Sequence, residues 1–152
     1  MMHALTSIGG RLSGRRVTHE ECQALLDAVP AFTSLGLLPL MQQYRLCGTL
    51  FLVEVHQTLD RSRVLLHWLS PNEMRDECLS AYPGIVATAF GYLPFGGDES
   101  GGGDPYFLRA DSPMVFRIRH DLVDVDMAEL KPGAIEPVLP SLASLFSEAQ
   151  LI

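Results

Sequence analysis

Gly91-Tyr-Leu-Pro-Phe-Gly-Gly-Asp-Glu-Ser-Gly-Gly-Gly-Asp-Pro-Tyr-Phe-Leu-Arg109 decides how the rest of this chain is read. An apolar run enters a glycine- and acid-rich tip and leaves as a second aromatic-aliphatic run, the pattern of a β-hairpin with an unusual loop. Gly96, Gly97, Gly101, Gly102 and Gly103 allow reversals that a Cβ would resist, and Pro94 and Pro105 flank the tip where a missing N–H is tolerated. Asp98, Glu99 and Asp104 make it negative.

Three chemistries associated with such loops fit poorly. A phosphate cradle needs a following helix with Lys and Ser/Thr, and here Asp104 and Pro105 lead into a strand. Calcium prefers hard oxygen donors like these acids, but the D-x-[DN]-x-[DN]-G spacing is absent, so they read as solvated turn residues and no metal is expected. Gly97-Asp-Glu-Ser-Gly-Gly102 is similar to the nucleophile segment of chymotrypsin-like proteases, yet Glu99 is an insertion that displaces Ser100.

A chain of 152 residues, 47% hydrophobic and 19% charged, can bury one core without disulfides or metal. No apolar run approaches the roughly 20 residues that cross a bilayer. The first ten residues lack a basic stretch followed by a hydrophobic one, so no secretion signal is read. Cys22, Cys47 and Cys78 are odd in number, widely spaced and set in apolar patterns, which suggests reduced thiols in a cytoplasmic protein. No pair has zinc spacing.

The net charge of −7 is unevenly spread: residues 98–136 hold nine acids against Arg109, Arg117, Arg119 and Lys131. That half argues against nucleic acid as a partner and suits a basic one.

Residues 1–17, with Gly9, Gly10 and Gly14, read as a flexible N-terminal arm, and the folded domain as 18–152. Thr18 and Glu21 form a capping box, after which Cys22, Leu25, Leu26 and Val29 stripe a helix to Pro30. A second helix is predicted from Leu37 to Leu46, with Pro39 in its first turn. Thr49 to Val55 and Arg63 to Leu69 read as two strands covered on both faces, joined by a turn at Leu59-Asp-Arg-Ser62. Ser70 and Glu73 form a second capping box, and Met74, Cys78, Leu79 and Tyr82 stripe the helix that follows. The hairpin begins at Ile85. Met114, Phe116 and Ile118 alternate as a further strand, Asp121 to Asp126 adds a short one, Lys131 to Pro140 reads as proline-punctuated loop, and Leu142, Leu145, Phe146 and Ala149 define a closing helix.

In this order of elements the chain resembles the SUKH superfamily, the Syd and yeast cell-wall-assembly-regulator homology group. The resemblance rests on Leu37-Leu-Pro-Leu-Met-Gln-Gln-Tyr44 ahead of Gly48, on Leu65-Leu-His-Trp-Leu-Ser-Pro-Asn-Glu-Met74, and above all on Leu93-Pro-Phe-Gly-Gly-Asp98, Gly103-Asp-Pro-Tyr-Phe-Leu108 and Val115-Phe-Arg-Ile-Arg-His-Asp121. The tip here is longer, with two separate glycine runs. The resemblance implies a single-domain α+β fold, a central, mostly antiparallel sheet packed with N-terminal, middle and C-terminal helices. It also implies a non-catalytic immunity protein that binds and neutralises a cognate polymorphic toxin domain, without cofactor or catalytic residues. Gly103 and Asp104 match the family's Gly-Asp pair, with Asp104 expected to bond backbone N–H groups ahead of Pro105.

A basic nuclease-like toxin would be met by acids that imitate phosphate. The candidate partner-binding residues are therefore Asp98, Glu99, Asp104, Tyr106, Asp111 and Asp121, with Asp124 and Asp126 nearby and Tyr92 and Phe95 as further exposed anchors. His56, His67 and Trp68 read as packing residues, and His120-Asp121 as neighbours that point to opposite faces of a strand. Two alternatives stay open. One is a small hydrolase, metal-assisted or not, in which Asp104 meets a distant His or Glu in a concave pocket; the other is a housekeeping scaffold of the same fold.

Overall fold

Both capping boxes form as their spacing requires. Thr18 Oγ1 accepts the N–H of Glu21 while the Glu21 carboxylate accepts the N–H of Thr18, and Ser70 and Glu73 repeat the exchange. Each satisfies two N–H groups left over by the first turn of a helix.

The computed structural model describes residues 1–56, 61–100 and 103–152, with the side chains of 56 and 61 excluded. Its elements are α1 (Met2–Ile8), α2 (His19–Ala28), α3 (Leu37–Gln43), β1 (Leu50–His56), β2 (Arg61–Trp68), α4 (Pro71–Ser80), α5 (Gly84–Ala87), β3 (Tyr92–Asp98), β4 (Tyr106–Arg109), β5 (Ser112–Ile118), β6 (Val123–Asp124), β7 (Glu129–Leu130), β8 (Ile135–Leu139), α6 (Leu142–Glu148) and β9 (Gln150–Leu151). Short 3₁₀ turns cover Gly9–Arg11, Pro30–Leu35, Thr88–Phe90 and His120–Leu122.

Among the described residues, seven strands build one antiparallel sheet in the order β8-β5-β4-β3-β2-β1-β9, and β6 and β7 form a separate ribbon. The fold is α+β, with the β3–β4 hairpin in the centre of the sheet. Alternation along β4 sends Tyr106 and Leu108 to one face and Phe107 to the other. The first face carries most of the buried apolar side chains, under α1 to α4 and α6. There Trp68 stacks on Phe146 at 5.9 Å and meets Phe95 edge-on at 5.1 Å. The second face holds a small cluster of Phe107, Phe116, Ile118 and Ala87, covered by α5 and the β6–β7 ribbon.

The structure corrects the expected flexible arm. Residues 1–17 are folded: Leu5, Ile8, Leu12 and Val17 are buried, and α1 packs on α6. Arg15 exchanges backbone hydrogen bonds with Cys47, and its guanidinium takes both oxygens of Glu21 at 3.0 and 2.7 Å. Gly14 makes this approach feasible, since a Cβ there would lie 2.2 Å from the Cys47 carbonyl oxygen.

Residues 135–139 are strand rather than loop. Pro137 sits on β8 at the edge of the sheet, where its missing N–H breaks no ladder. The hairpin starts at Tyr92, not Ile85, because 84–90 is helical; the Glu77 carboxylate accepts the Gly84 N–H at 3.0 Å and so caps α5 from the preceding helix. β1 and β2 are covered on one face only: Phe51, Val53, Val64, Leu66 and Trp68 are buried, whereas Glu54 and Arg63 are exposed. α3 ends at Gln43, and β9 pairs with β1 beyond the closing helix. Of the Leu59–Ser62 turn, 59 and 60 lie outside the described residues and Ser62 belongs to β2.

Candidate functional site

The glycine tip is anchored on its first half. Asp98 accepts both the N–H and the hydroxyl of Ser100, the Asx-turn chemistry that bends a chain locally. Ser100 Oγ in turn accepts the Leu65 N–H at 3.1 Å, and the Glu99 N–H reaches Leu65 O at 2.8 Å. β3 is thereby held against β2 past its formal end. Gly103 takes φ +75, the left-handed region that glycine tolerates. Gly96 lies opposite Trp68 and Tyr106, and a Cβ there would press on the Leu66 side chain at 3.0 Å. Gly97 lines the cleft described next, while Gly101 and Gly102 lie outside the described residues.

Between this tip and α4 runs a cleft of about 360 Å³, into which Glu73, Asp76, Glu77, Asp98 and Glu99 converge, with Ala81 and Leu69 as apolar wall. His67 sits at its rim, its Nδ1 3.1 Å from Glu99 and its Nε2 3.9 Å from Glu73. Burial raises the Glu77 carboxyl above its ordinary range, and the Gly84 N–H opposes that shift. Asp76 pairs with Arg75 at 3.2 Å, so five carboxylates face one guanidinium and one imidazole, an excess that makes the cleft a concave source of negative potential.

Asp104 departs from its expected role. It is 7% exposed, and its Oδ1 accepts the backbone N–H of His120 at 3.1 Å and Nδ1–H at 2.6 Å, sixteen residues on, rather than local N–H groups. The register explains this. Tyr106 opposite Arg117 brings residue 104 level with 119–120. Arg117 Nε lies 3.7 Å from Asp104 Oδ2 and 3.3 Å from Glu136 Oε2, close in charge but off the hydrogen-bond direction. The bond to Asp104, then its charge, raises the exposed His120 imidazole above the usual histidine range.

Tyr106 is fully buried, which corrects its expectation as an exposed anchor; Phe95 is buried too. Burial and then Asp98's charge push the Tyr106 phenol up. Its position opens a wider pattern. Trp68, Gly96, Tyr106, Arg117 and Glu136 are in register across β2, β3, β4, β5 and β8. Trp68 Nε1, Tyr106 OH, Arg117 Nε and Glu136 Oε2, buried polar atoms that lack a hydrogen-bond partner among the described residues, all fall on this one row. The sheet thus carries a polar seam through its main core.

The remaining candidates are dispersed and locally neutralised. Asp111, at the far end of the hairpin from the tip, pairs with Arg109 at 2.6 Å, and Arg109 lies over the half-buried Tyr92 ring. Asp121 pairs with Arg119 at 2.8 Å rather than with His120. Asp98 and Glu99 are brought together and gain Glu73, Asp76 and Glu77, which the sequence reading assigned only to a helix and its cap. Their spacing on α4 was the available signal, an acidic stripe one turn long.

Among the described residues, no group of three or more His, Cys, Asp or Glu is placed to hold a metal ion, and no helix is long and apolar enough to cross a membrane. No family model, curated protein or solved structure matches this chain.

Proposed function

We propose that the chain is a non-catalytic protein-binding domain of the immunity type, which binds the toxic domain of a cognate polymorphic toxin and blocks it. The convergence of Glu73, Asp76, Glu77, Asp98 and Glu99 on one cleft carries this reading. Carboxylates held in a concavity attract Lys and Arg from a distance and, like phosphate, offer them anionic oxygen. A basic nuclease domain is the partner that such a surface suits. Asp111 and Asp121 do not line the cleft and lie outside the binding site in this reading.

Co-purification with the product of an adjacent gene encoding a secreted protein with a variable C-terminal domain tests the proposal. Asp76→Asn, Asp98→Asn and Glu99→Gln together are expected to weaken the complex and flatten its salt dependence. Unchanged affinity and salt slope remove the cleft from the interface.

A small hydrolase is the second reading, favoured by one observation: Asp104 meets His120, whose ring is exposed while the carboxylate behind it is buried. That is the arrangement of an oriented general base. The neighbouring cleft is nevertheless lined by Gly103 and Pro105 rather than by the imidazole. Turnover of a substrate by the purified chain, abolished by His120→Ala, would replace the first reading with this one.

A further inference from the structure

No charged side chain stands between Glu77 and Asp98, and this long neutral segment surfaces as Tyr82, Ile85 and Phe90, which are 56, 42 and 45% exposed. Scattered exposed apolar groups are ordinary, but a run of them in one segment beside a polar rim is a mark of recognition surfaces. The segment adjoins the acidic cleft. Ala81 forms part of the cleft wall, Tyr82 follows it directly, and the Ile85 N–H donates to Ala81 O at 2.9 Å. Glu77 joins the two features mechanically, lining the cleft while its carboxylate caps α5 through Gly84. Pro83, Gly84 and Val86 are buried, so α5 is seated on the body and holds Ile85 outward.

We infer that Tyr82 and Ile85, with the acidic cleft beside them, form one docking surface for a cationic protein segment that carries a large apolar side chain next to its Lys and Arg residues. This rests on the reading of the cleft as partner-binding and adds what the partner must present. Charge decides the occupant: carboxylates on the rim attract basic protein and repel an anionic lipid surface. The apolar contact supplies what surface ion pairs lack, because an aromatic or aliphatic anchor excludes water and strengthens the charge pairs around it.

Two synthetic Lys/Arg-rich peptides of equal charge, one with a single Trp and the other with Ser in its place, test the surface by calorimetry at low salt. The Trp peptide is expected to bind roughly tenfold more tightly. Tyr82→Ser combined with Ile85→Ser removes that advantage and leaves the Ser peptide unaffected, whereas Asp76→Asn with Asp98→Asn and Glu99→Gln weakens both. On the unmodified chain, amide shifts in residues 79–90 are expected with the Trp peptide and not with the Ser peptide, a readout independent of any variant's folding.

Equal affinities, or shifts confined to the acids, overturn the docking inference and leave the cleft reading standing. Failure of both peptides to bind overturns both. Self-association of the unmodified chain that the Tyr82→Ser and Ile85→Ser changes abolish would assign the surface to a second copy and overturn the inference.

Discussion

Asp104 reaches across the β4–β5 hairpin and takes both the backbone N–H and the Nδ1–H of His120, at 3.1 and 2.6 Å. One buried carboxylate thereby fastens the end of the glycine tip to the end of β5, with Arg117 close enough to offset its charge. Removing it takes away two hydrogen bonds to a carboxylate and leaves Arg117 beside Glu136 alone. Asp104→Ala is expected to cost about 1–3 kcal/mol in urea unfolding, the range for losing hydrogen bonds to a charged acceptor, and His120→Ala less because the ring is exposed. Equal, negligible effects would show that the clasp contributes nothing.

The same contact sets a pH dependence. The folded His120 is raised above the ordinary histidine value by its bond to Asp104. A raised folded-state value means that its stabilisation is complete below about pH 6.5, the unfolded value, and is lost as pH rises through the folded one. Melting temperatures of the unmodified chain and of His120→Gln should therefore differ most at pH 5–6 and converge in alkaline buffer, by a small amount given the solvent exposure of the ring. Divergence on raising the pH contradicts the assignment.

Gly14 and Gly10 lie four residues apart in the N-terminal segment and differ sharply in surroundings. A methyl group at Gly14 would lie 2.2 Å from Cys47 O and 2.7 Å from Arg45 O, which are backbone atoms, while at Gly10 it meets open space. Gly14→Ala is expected to destabilise by more than about 2 kcal/mol and Gly10→Ala to stay within about 0.5 kcal/mol. Chemical denaturation separates the two, and equal values would return residues 1–17 to the status of a loose arm.

Cys22, Cys47 and Cys78 are free and buried, and burial raises each thiol, Cys78 to about 11. A thiolate is the reactive form, so a disulfide reagent at pH 8 should label none of them in the native state and all three after unfolding. Rapid labelling of one native thiol would place it at the surface.

The hairpin and the helix starts were legible because their causes are local. Thr18 with Glu21 and Ser70 with Glu73 carry the cap in four residues, and glycines between apolar runs carry the turn. What went unread depends on distant partners. Leu5, Ile8 and Leu12 have helical spacing, but nearby glycines suggested a loose arm, and only Cys47 and α6 show what holds it. Pro137 argued against a strand until β8 proved to be an edge. The cleft needed α4 and the tip in contact before Glu73, Asp76 and Glu77 could join Asp98 and Glu99, and the Asp104–His120 clasp needed the β4–β5 register.

The uneven covering of the two sheet faces makes the molecule mechanically lopsided. Lifting α5 and the β6–β7 ribbon uncovers a handful of apolar side chains, whereas parting the helices on the other side means opening the aromatic centre around Trp68. Local opening therefore costs a fraction of global unfolding and is confined to the flank that bears Tyr82 and Ile85. The amides of that flank are expected to exchange with solvent before those under the helices.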